Sequence, residues 1–137
     1  MTQADKDLLL KDLCARLPYG VKIAMPGLWD SKITIEPLEE IFKGDDDLFR
    51  VNGNGHCIEY IKPYLFPLSN MTEEQKQEYM YIVNYISSDD TENWKEGEFI
   101  YVEQFSQLMH FYHINHLDYM GLIPLGLAID ATGLNIY

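Results

Sequence analysis

The chain has 137 residues, 47% of them hydrophobic, with 22 acidic and 10 basic residues and a formal net charge of −12. This length fits a single domain, residues 1–137, and the hydrophobic and aromatic content excludes intrinsic disorder. The excess of acids disfavours direct binding to nucleic acid or to an anionic membrane, because phosphate contacts need cations. A basic protein partner, or imitation of the charge of DNA, is compatible with it.

The first predicted element is an N-terminal helix. Residues 4–17 place leucines at helical spacing, and Pro18-Tyr19-Gly20 ends the pattern. The start of the chain lacks the cleavage site of a signal peptide, and the longest weakly polar run, residues 121–129, is too short to span a bilayer. Cys14 and Cys57, without a Cys-x-x-Cys motif, are typical of buried thiols in a reducing cytosol. We therefore expect a cytoplasmic protein.

Residues 21–66 have the composition that is typical of a β-sheet. Short runs rich in Ile, Val, Tyr and Phe alternate with the turn formers "PGLWDS", "KGDDD" and "NGNG". Asn52-Gly53-Asn54-Gly55 is the clearest hairpin signal, because Asn and Gly tolerate positive φ. We predict a small antiparallel sheet of four or five strands, with an SH3-like roll as one form that it can take.

Two further helices are predicted after the sheet. Thr72-Glu73-Glu74-Gln75 is a capping box, in which the threonine hydroxyl accepts from the third amide and the glutamine reaches back. The stripe that this helix buries consists of Tyr79, Ile82, Val83 and Ile86. A last helix is expected over about residues 102–116. Its buried stripe would be Val102, Phe105, Leu108, Met109 and Tyr112.

The C-terminal segment is too apolar to lie free in solvent. Its aliphatic side chains are Leu122, Ile123, Leu125, Leu127, Ile129, Leu134 and Ile136. Burying each is worth about 1.5–3 kcal/mol, so half of them would rival the total stability of a domain, about 5–15 kcal/mol. We predict that this tail packs near the helix that ends at His116. The expected fold is α+β: an N-terminal helix, a small antiparallel sheet, two helices and a packed tail.

The segment "HFYHINHLDY", residues 110–119, holds three of the four histidines at three-residue spacing. Helical metal pairs use i, i+4 spacing, whereas these rings spread over about 120° of the helix. One tetrahedral ion would need a further ligand from Asp118, His56 or Cys57. The candidates for a metal site are His110, His113 and His116. We favour instead a helix end that docks the tail, with no metal, and with Asp118 and Tyr119 fixing the exit of the chain.

No other motif predicts an enzyme. Cys57 could act as a thiol nucleophile, but it lies in a β-prone run where buried thiols are common. Asp45, Asp46 and Asp47 do not follow the spacing of a calcium loop. Nothing resembles a P-loop or a dinucleotide-binding fingerprint. We therefore expect no catalytic residues and no cofactor.

Aromatic residues are the better guide to a binding surface. Exposed aromatic side chains on an acidic surface are typical of protein-binding sites. Three aromatics flank Pro63, and a tryptophan lies in the polar stretch "DDTENWKEGE". The candidate interaction surface consists of Tyr60, Tyr64, Phe66 and Trp94.

Three blocks, "KDLCARLPYGVK", "IKPYLFPLSNMTEEQ" and "HINHLDYMGLI…GLAIDATGLNIY", resemble a family of short uncharacterised proteins of gut anaerobic bacteria. These proteins often have prophage-like or mobile-element neighbours, and the resemblance covers about residues 11–137. It implies a mobile-element origin and supplies no activity. The family pattern has an arginine where this chain has Met120, so an anion-binding role for that position is not carried over.

Together these observations favour a non-enzymatic module for protein–protein interaction or regulation, with an unidentified protein partner. The first alternative is an acidic inhibitor that imitates DNA and occupies a nucleic-acid enzyme. Imitation of DNA would require acidic residues repeated along one face of the protein. In this sequence the acidic residues cluster in loops and at helix starts. The second alternative is a metal-dependent enzyme that uses the three histidines of residues 110–119.

Overall fold

The computed structural model describes residues 1–27, 32–53, 56–87 and 94–137, with the backbone alone for 84–87 and 94–102. The helices are α1 (Gln3–Arg16), α2 (Glu73–Ser87) and α3 (Trp94–Ile114). The strands are β1 (Lys22–Pro26), β2 (Ile33–Pro37), β3 (Ile41–Lys43), β4 (Phe49–Val51), β5 (His56–Cys57), β6 (Lys62–Leu65) and β7 (Ile129–Asp130). The predicted α+β fold is confirmed.

Helix α1 begins at a capping box formed by Thr2 and Asp5, which is an addition to the predicted features. The Thr2 hydroxyl accepts from the amide of Asp5, and the Asp5 carboxylate accepts from the amide of Thr2. Leu9 and Leu13 are fully buried on the inner face of the helix, against the sheet. Cys14 points away from them and is exposed, so the expectation of a buried thiol is wrong for it.

Two sheets form where one was predicted. The first has the strand order β2-β1-β6-β7, and the second has the order β3-β4-β5. Six strands therefore lie within residues 21–66, and the tail contributes β7, which pairs with β6 in parallel. The SH3-like roll stays a prediction.

The hairpin predicted at residues 52–55 is confirmed. β4 and β5 pair antiparallel across it, and Asn52 adopts a positive φ of 53°. Asn54 and Gly55 lie outside the described residues. Cys57, at the end of β5, is half-buried rather than buried.

Helices α2 and α3 pack against each other through Ile82 and Phe111. The capping box at Thr72 is confirmed, since its hydroxyl accepts from the amide of Gln75. Helix α3 begins at Trp94 rather than near residue 102, so it includes residues 94–98 of the polar stretch "DDTENWKEGE". Phe105 is exposed, not buried. It lies about 240° around the helix from Phe111, whose contacts set the buried face.

The tail packs against the core, as predicted. Leu122 and Leu127 join the cluster that α1 and the sheet form, and Ala131 packs on the opposite face of the sheet with Ala24. Not every aliphatic side chain takes part, since Leu125 and Leu134 are exposed. The tail therefore covers the sheet from two sides.

Two leucines of the tail allow a matched test of this packing. Leu122 is 0% exposed and Leu125 is 56% exposed. We expect Leu122→Ala to lower the free energy of unfolding by about 2–5 kcal/mol, because it leaves a cavity. Leu125→Ala should change it by less than about 0.5 kcal/mol. Urea unfolding followed by circular dichroism measures both, and equal effects would contradict the packed tail.

Candidate functional site

The segment of residues 110–119 is a helix end, as the sequence predicted. His116 takes a left-handed φ of 54°, its amide donates to the carbonyl of His113, and the amide of Leu117 donates to that of Tyr112. This is the hydrogen-bond pattern of a Schellman motif, with a histidine at the position where glycine is usual. Leu117 is buried and packs with Tyr112 beneath the end of the helix. The motif ends α3 and redirects the chain.

Asp118 fixes the next turn, which also agrees with the prediction. Its carboxylate accepts from the amides of Leu122 (2.7 Å) and Ile123 (2.9 Å). Phe66 makes two backbone hydrogen bonds to the residues on either side of Leu117. Its carbonyl accepts from the amide of Asp118, and its amide donates to the carbonyl of His116. The exit from α3 is thus hydrogen-bonded to the end of β6.

A buried ion pair lies under this exit. Arg16 and Asp12, one turn apart on α1, are both 0% exposed, and Arg16 Nε donates to Asp12 Oδ2 at 2.8 Å. Arg16 Nη2 donates to the carbonyl of Leu117 at 2.6 Å, and its guanidinium lies 5.1 Å from the ring centre of Tyr119. Burial raises the pKa of Asp12, and Arg16 offsets part of that rise.

The histidines make separate contacts rather than a metal site. His110 Nδ1 lies 3.1 Å from the hydroxyl of Tyr19, and His113 Nε2 lies 2.7 Å from the hydroxyl of Tyr119. The described part of the chain holds no group of three or more His, Cys, Asp or Glu side chains that could bind a metal ion.

The side chain of His116 packs against Tyr137. Its ring stacks on that of Tyr137 with the centroids 3.8 Å apart. The Tyr137 hydroxyl donates to the carbonyl of Tyr64 and accepts from the amide of Lys22. Burial, followed by the charges of Arg16 and Lys22, lowers the pKa of His116 to about 4. This imidazole is therefore neutral at physiological pH.

The predicted aromatic surface does not form as one patch. Tyr60 is exposed, but Tyr64 is buried, because alternate residues of β6 face the tail and Tyr64 packs there with Ala131. Phe66 is partly buried against Tyr137. Trp94 is the first residue of α3, and its side chain lies outside the described residues. Of these four, only Tyr60 is shown to be available to a partner.

A groove between α2 and α3 is a better candidate for a binding site. It has a volume of about 440 Å³. Its lining residues are Glu78, Tyr81, Ile82, Glu103, Ser106, Gln107, His110 and Phe111. Ile82 and Phe111 are buried and form an apolar floor, whereas Tyr81 is 70% exposed. A carboxylate from each helix, Glu78 and Glu103, lies beside this floor.

The sequence contains separate signals for this groove. Tyr81 lies one position before Ile82, outside the apolar stripe of α2. Between Glu73 and Glu103 the sequence has nine acidic residues and two lysines, so more than half of the net charge of −12 lies in this part of the chain. Which of those acids share a groove depends on how the two helices pack, and periodicity within one helix does not give that.

Comparisons of the chain with protein-family models, with curated proteins and with solved structures found no match. None of the helices among the described residues combines the length and the apolar character that crossing a bilayer requires. The functional interpretation therefore rests on the geometry of the chain itself.

The lowered pKa of His116 predicts a dependence of stability on pH. An unfolded histidine has a pKa of 6.5, so between pH 6.5 and 4 the unfolded chain binds a proton that the folded chain does not. The stabilisation from the neutral ring is present above pH 6.5 and is lost as the pH falls through this window. We expect a loss of about 1–3 kcal/mol, allowing for partial solvent exposure.

His116→Asn is the matched variant, because asparagine tolerates a left-handed φ and does not titrate. Chemical denaturation at pH 7 and pH 4 should show that wild type loses about 1–3 kcal/mol more than the variant. Equal losses in both proteins would show that His116 is protonated in the fold and that its burial has no such effect.

Proposed function

We propose that the chain is a cytoplasmic, non-enzymatic module for protein–protein interaction, and that the groove between α2 and α3 binds a basic segment of a partner protein. The observation that carries the proposal is the composition of the groove. Its apolar floor of Ile82 and Phe111 is flanked by Glu78 and Glu103, and the exposed ring of Tyr81 lies at its side. A mobile-element origin, implied by the resemblance, belongs to the same proposal.

The chemistry of the groove limits what can bind it. An apolar side chain of the partner can cover Ile82 and Phe111, while a lysine or arginine beside it pairs with Glu78 or Glu103. Arginine suits such a carboxylate best, since its guanidinium forms two parallel hydrogen bonds. Exposed Tyr81 can stack on that guanidinium, and tyrosine is enriched among the residues that dominate binding energies. A short segment that mixes basic and apolar residues fits these requirements.

The two other functions have less support. A DNA mimic would use the same acids, but the apolar floor and the tyrosine have no role in imitating phosphates. A metal-dependent enzyme would need the three histidines together, and His110 and His113 instead contact different tyrosines.

The proposal is tested by capture from a bacterial lysate with wild type and two charge-matched variants. Glu78→Gln with Glu103→Gln removes the carboxylates of the groove. Glu39→Gln with Glu40→Gln removes the same charge from the connection between β2 and β3, where both residues are exposed. A purified partner should bind the groove variant about tenfold or more weakly, which is about 1.4 kcal/mol or more, and bind the control as wild type.

Three further outcomes decide between the alternatives. Binding to the groove should weaken as salt is raised, because exposed charges are screened. A partner that binds both variants equally would contradict the groove as the binding site. Recovery of restriction or repair enzymes, with equal dependence on both sets of acids, would favour DNA mimicry.

A further inference from the structure

Helices α2 and α3 run antiparallel, and their contacts show which residues lie level with each other along the groove. Near the start of α2, Gln75 Nε2 donates to Asn115 Oδ1, just past the end of α3, at 3.1 Å. One turn further along α2, the ring of Tyr79 lies 6.2 Å from that of Phe111. Ile82 packs against Phe111 in the same cluster. The apolar floor of the groove therefore lies where the second half of α2 meets the last turns of α3.

The two carboxylates of the groove lie on opposite sides of this floor. Glu103 precedes Phe111 by eight residues, so it lies about 12 Å towards the start of α3. Glu78 precedes Ile82 by four residues, so it lies about 6 Å towards the start of α2, which is the opposite direction. Because both Tyr79 and Ile82 contact Phe111, the two acidic positions are about 14–18 Å apart along the groove.

Both carboxylates are available to a partner. Glu78 and Glu103 are exposed. None of the ion pairs within the described part of the chain includes either of them. A ligand that complements the groove therefore carries two positive charges at this separation, with an apolar group between them.

We propose that the basic segment bound by this groove is an amphipathic helix of the partner protein, with two basic residues three turns apart and an apolar residue between them. This inference rests on the proposed function and specifies its ligand. Residues eleven positions apart on a helix are separated by about 16.5 Å, and their side chains point to within about 20° of each other. One face of a single helix can therefore place a basic residue at each carboxylate, which is recognition of a helix in a groove.

A helix also places an apolar residue over the floor in either direction. In a helix parallel to α3, with its first basic residue at Glu103, the residue seven positions later lies about 10.5 Å along the groove. In the opposite direction, with its first basic residue at Glu78, the residue four positions later lies about 6 Å along it. Both positions lie within about 40° of the basic residues on the helix surface. Tyr81 and His110, which line the groove beside the floor, flank this apolar residue.

An extended segment fits the same groove less well. It covers about 16.5 Å in five residues, and side chains five residues apart point to opposite faces of a strand. The walls of the groove are two α-helices, whose backbone hydrogen bonds are made within each helix, so they offer no edge with which a strand can pair. A helix is favoured on both grounds.

Two acetylated and amidated alanine-based peptides of the same composition test the inference. The first has arginine at positions i and i+11 and leucine at i+4 and i+7. In the second the later arginine stands at i+9, which turns it about 180° away from the first arginine on a helix. We expect the second to bind about threefold or more weakly, because it loses one of the two ion pairs. Fluorescence anisotropy measures binding, and circular dichroism should show that the first peptide gains helix when bound.

Glu78→Gln and Glu103→Gln, made separately, locate the two ion pairs. Each should weaken binding of the first peptide about threefold or more and remove its preference over the second, since one carboxylate can pair with only one arginine. Glu39→Gln with Glu40→Gln is the control and should change neither affinity.

Equal binding of both peptides, with dependence on Glu78 and Glu103, overturns the helical ligand and leaves a basic segment in the groove as the proposed function. Binding of the first peptide without a gain of helix has the same meaning. Binding that neither carboxylate affects contradicts the groove as well. If neither peptide binds, the helical ligand is overturned, and capture from a lysate still decides the proposed function.

Discussion

The buried guanidinium of Arg16 is the interaction on which the rest of the structure depends. Removing a charge from water costs several kcal/mol, and the cost is repaid only when the charge is paired and hydrogen-bonded. Asp12 supplies the charge, and the carbonyl of Leu117 supplies a second acceptor. Asp12 lies one turn away from Arg16 on α1, and Leu117 lies 101 residues further along the chain. The pair therefore fixes where the N-terminal helix meets the end of α3.

The contacts around this pair set the position of the tail and of the groove between α2 and α3. The Schellman motif at His116 turns the chain so that Leu117 reaches Arg16, and Asp118 then directs the tail onto the sheet. The tail forms β7 on β6, so that β2 and β7 are the two edge strands of this sheet in the described part of the chain. Phe111, in the same helix end, packs on Ile82 and forms the floor of the groove.

Local signals in the sequence were sufficient for three helices, a β-rich segment and the helix end, but not for the number of strands or their assembly. The capping box at Thr72 and the turn at Asn52 depend on neighbouring residues only, and both are confirmed. The division into two sheets depends on which strands meet, which no local pattern encodes. The burial of Arg16 was missed because a lone arginine in the last turn of a helix is usually solvated, and its partner Leu117 is distant in sequence. Tyr64 was assigned to the surface because alternation along a strand does not determine which face of the strand is covered. In the structure the tail packs on the face of β6 that carries Tyr64, and its ring is buried.

A double-mutant cycle on the buried pair tests the central claim most directly, with the free energy of unfolding measured for wild type, Asp12→Asn, Arg16→Met and the double variant. Each single variant should lose about 3–5 kcal/mol, because it leaves a buried charge or a buried polar group without its partner. The double variant should lose less than the sum by about 1–3 kcal/mol, since it leaves no lone charge. Single losses below about 1 kcal/mol, or losses that simply add, would show that the pair does not hold α1 to the end of α3.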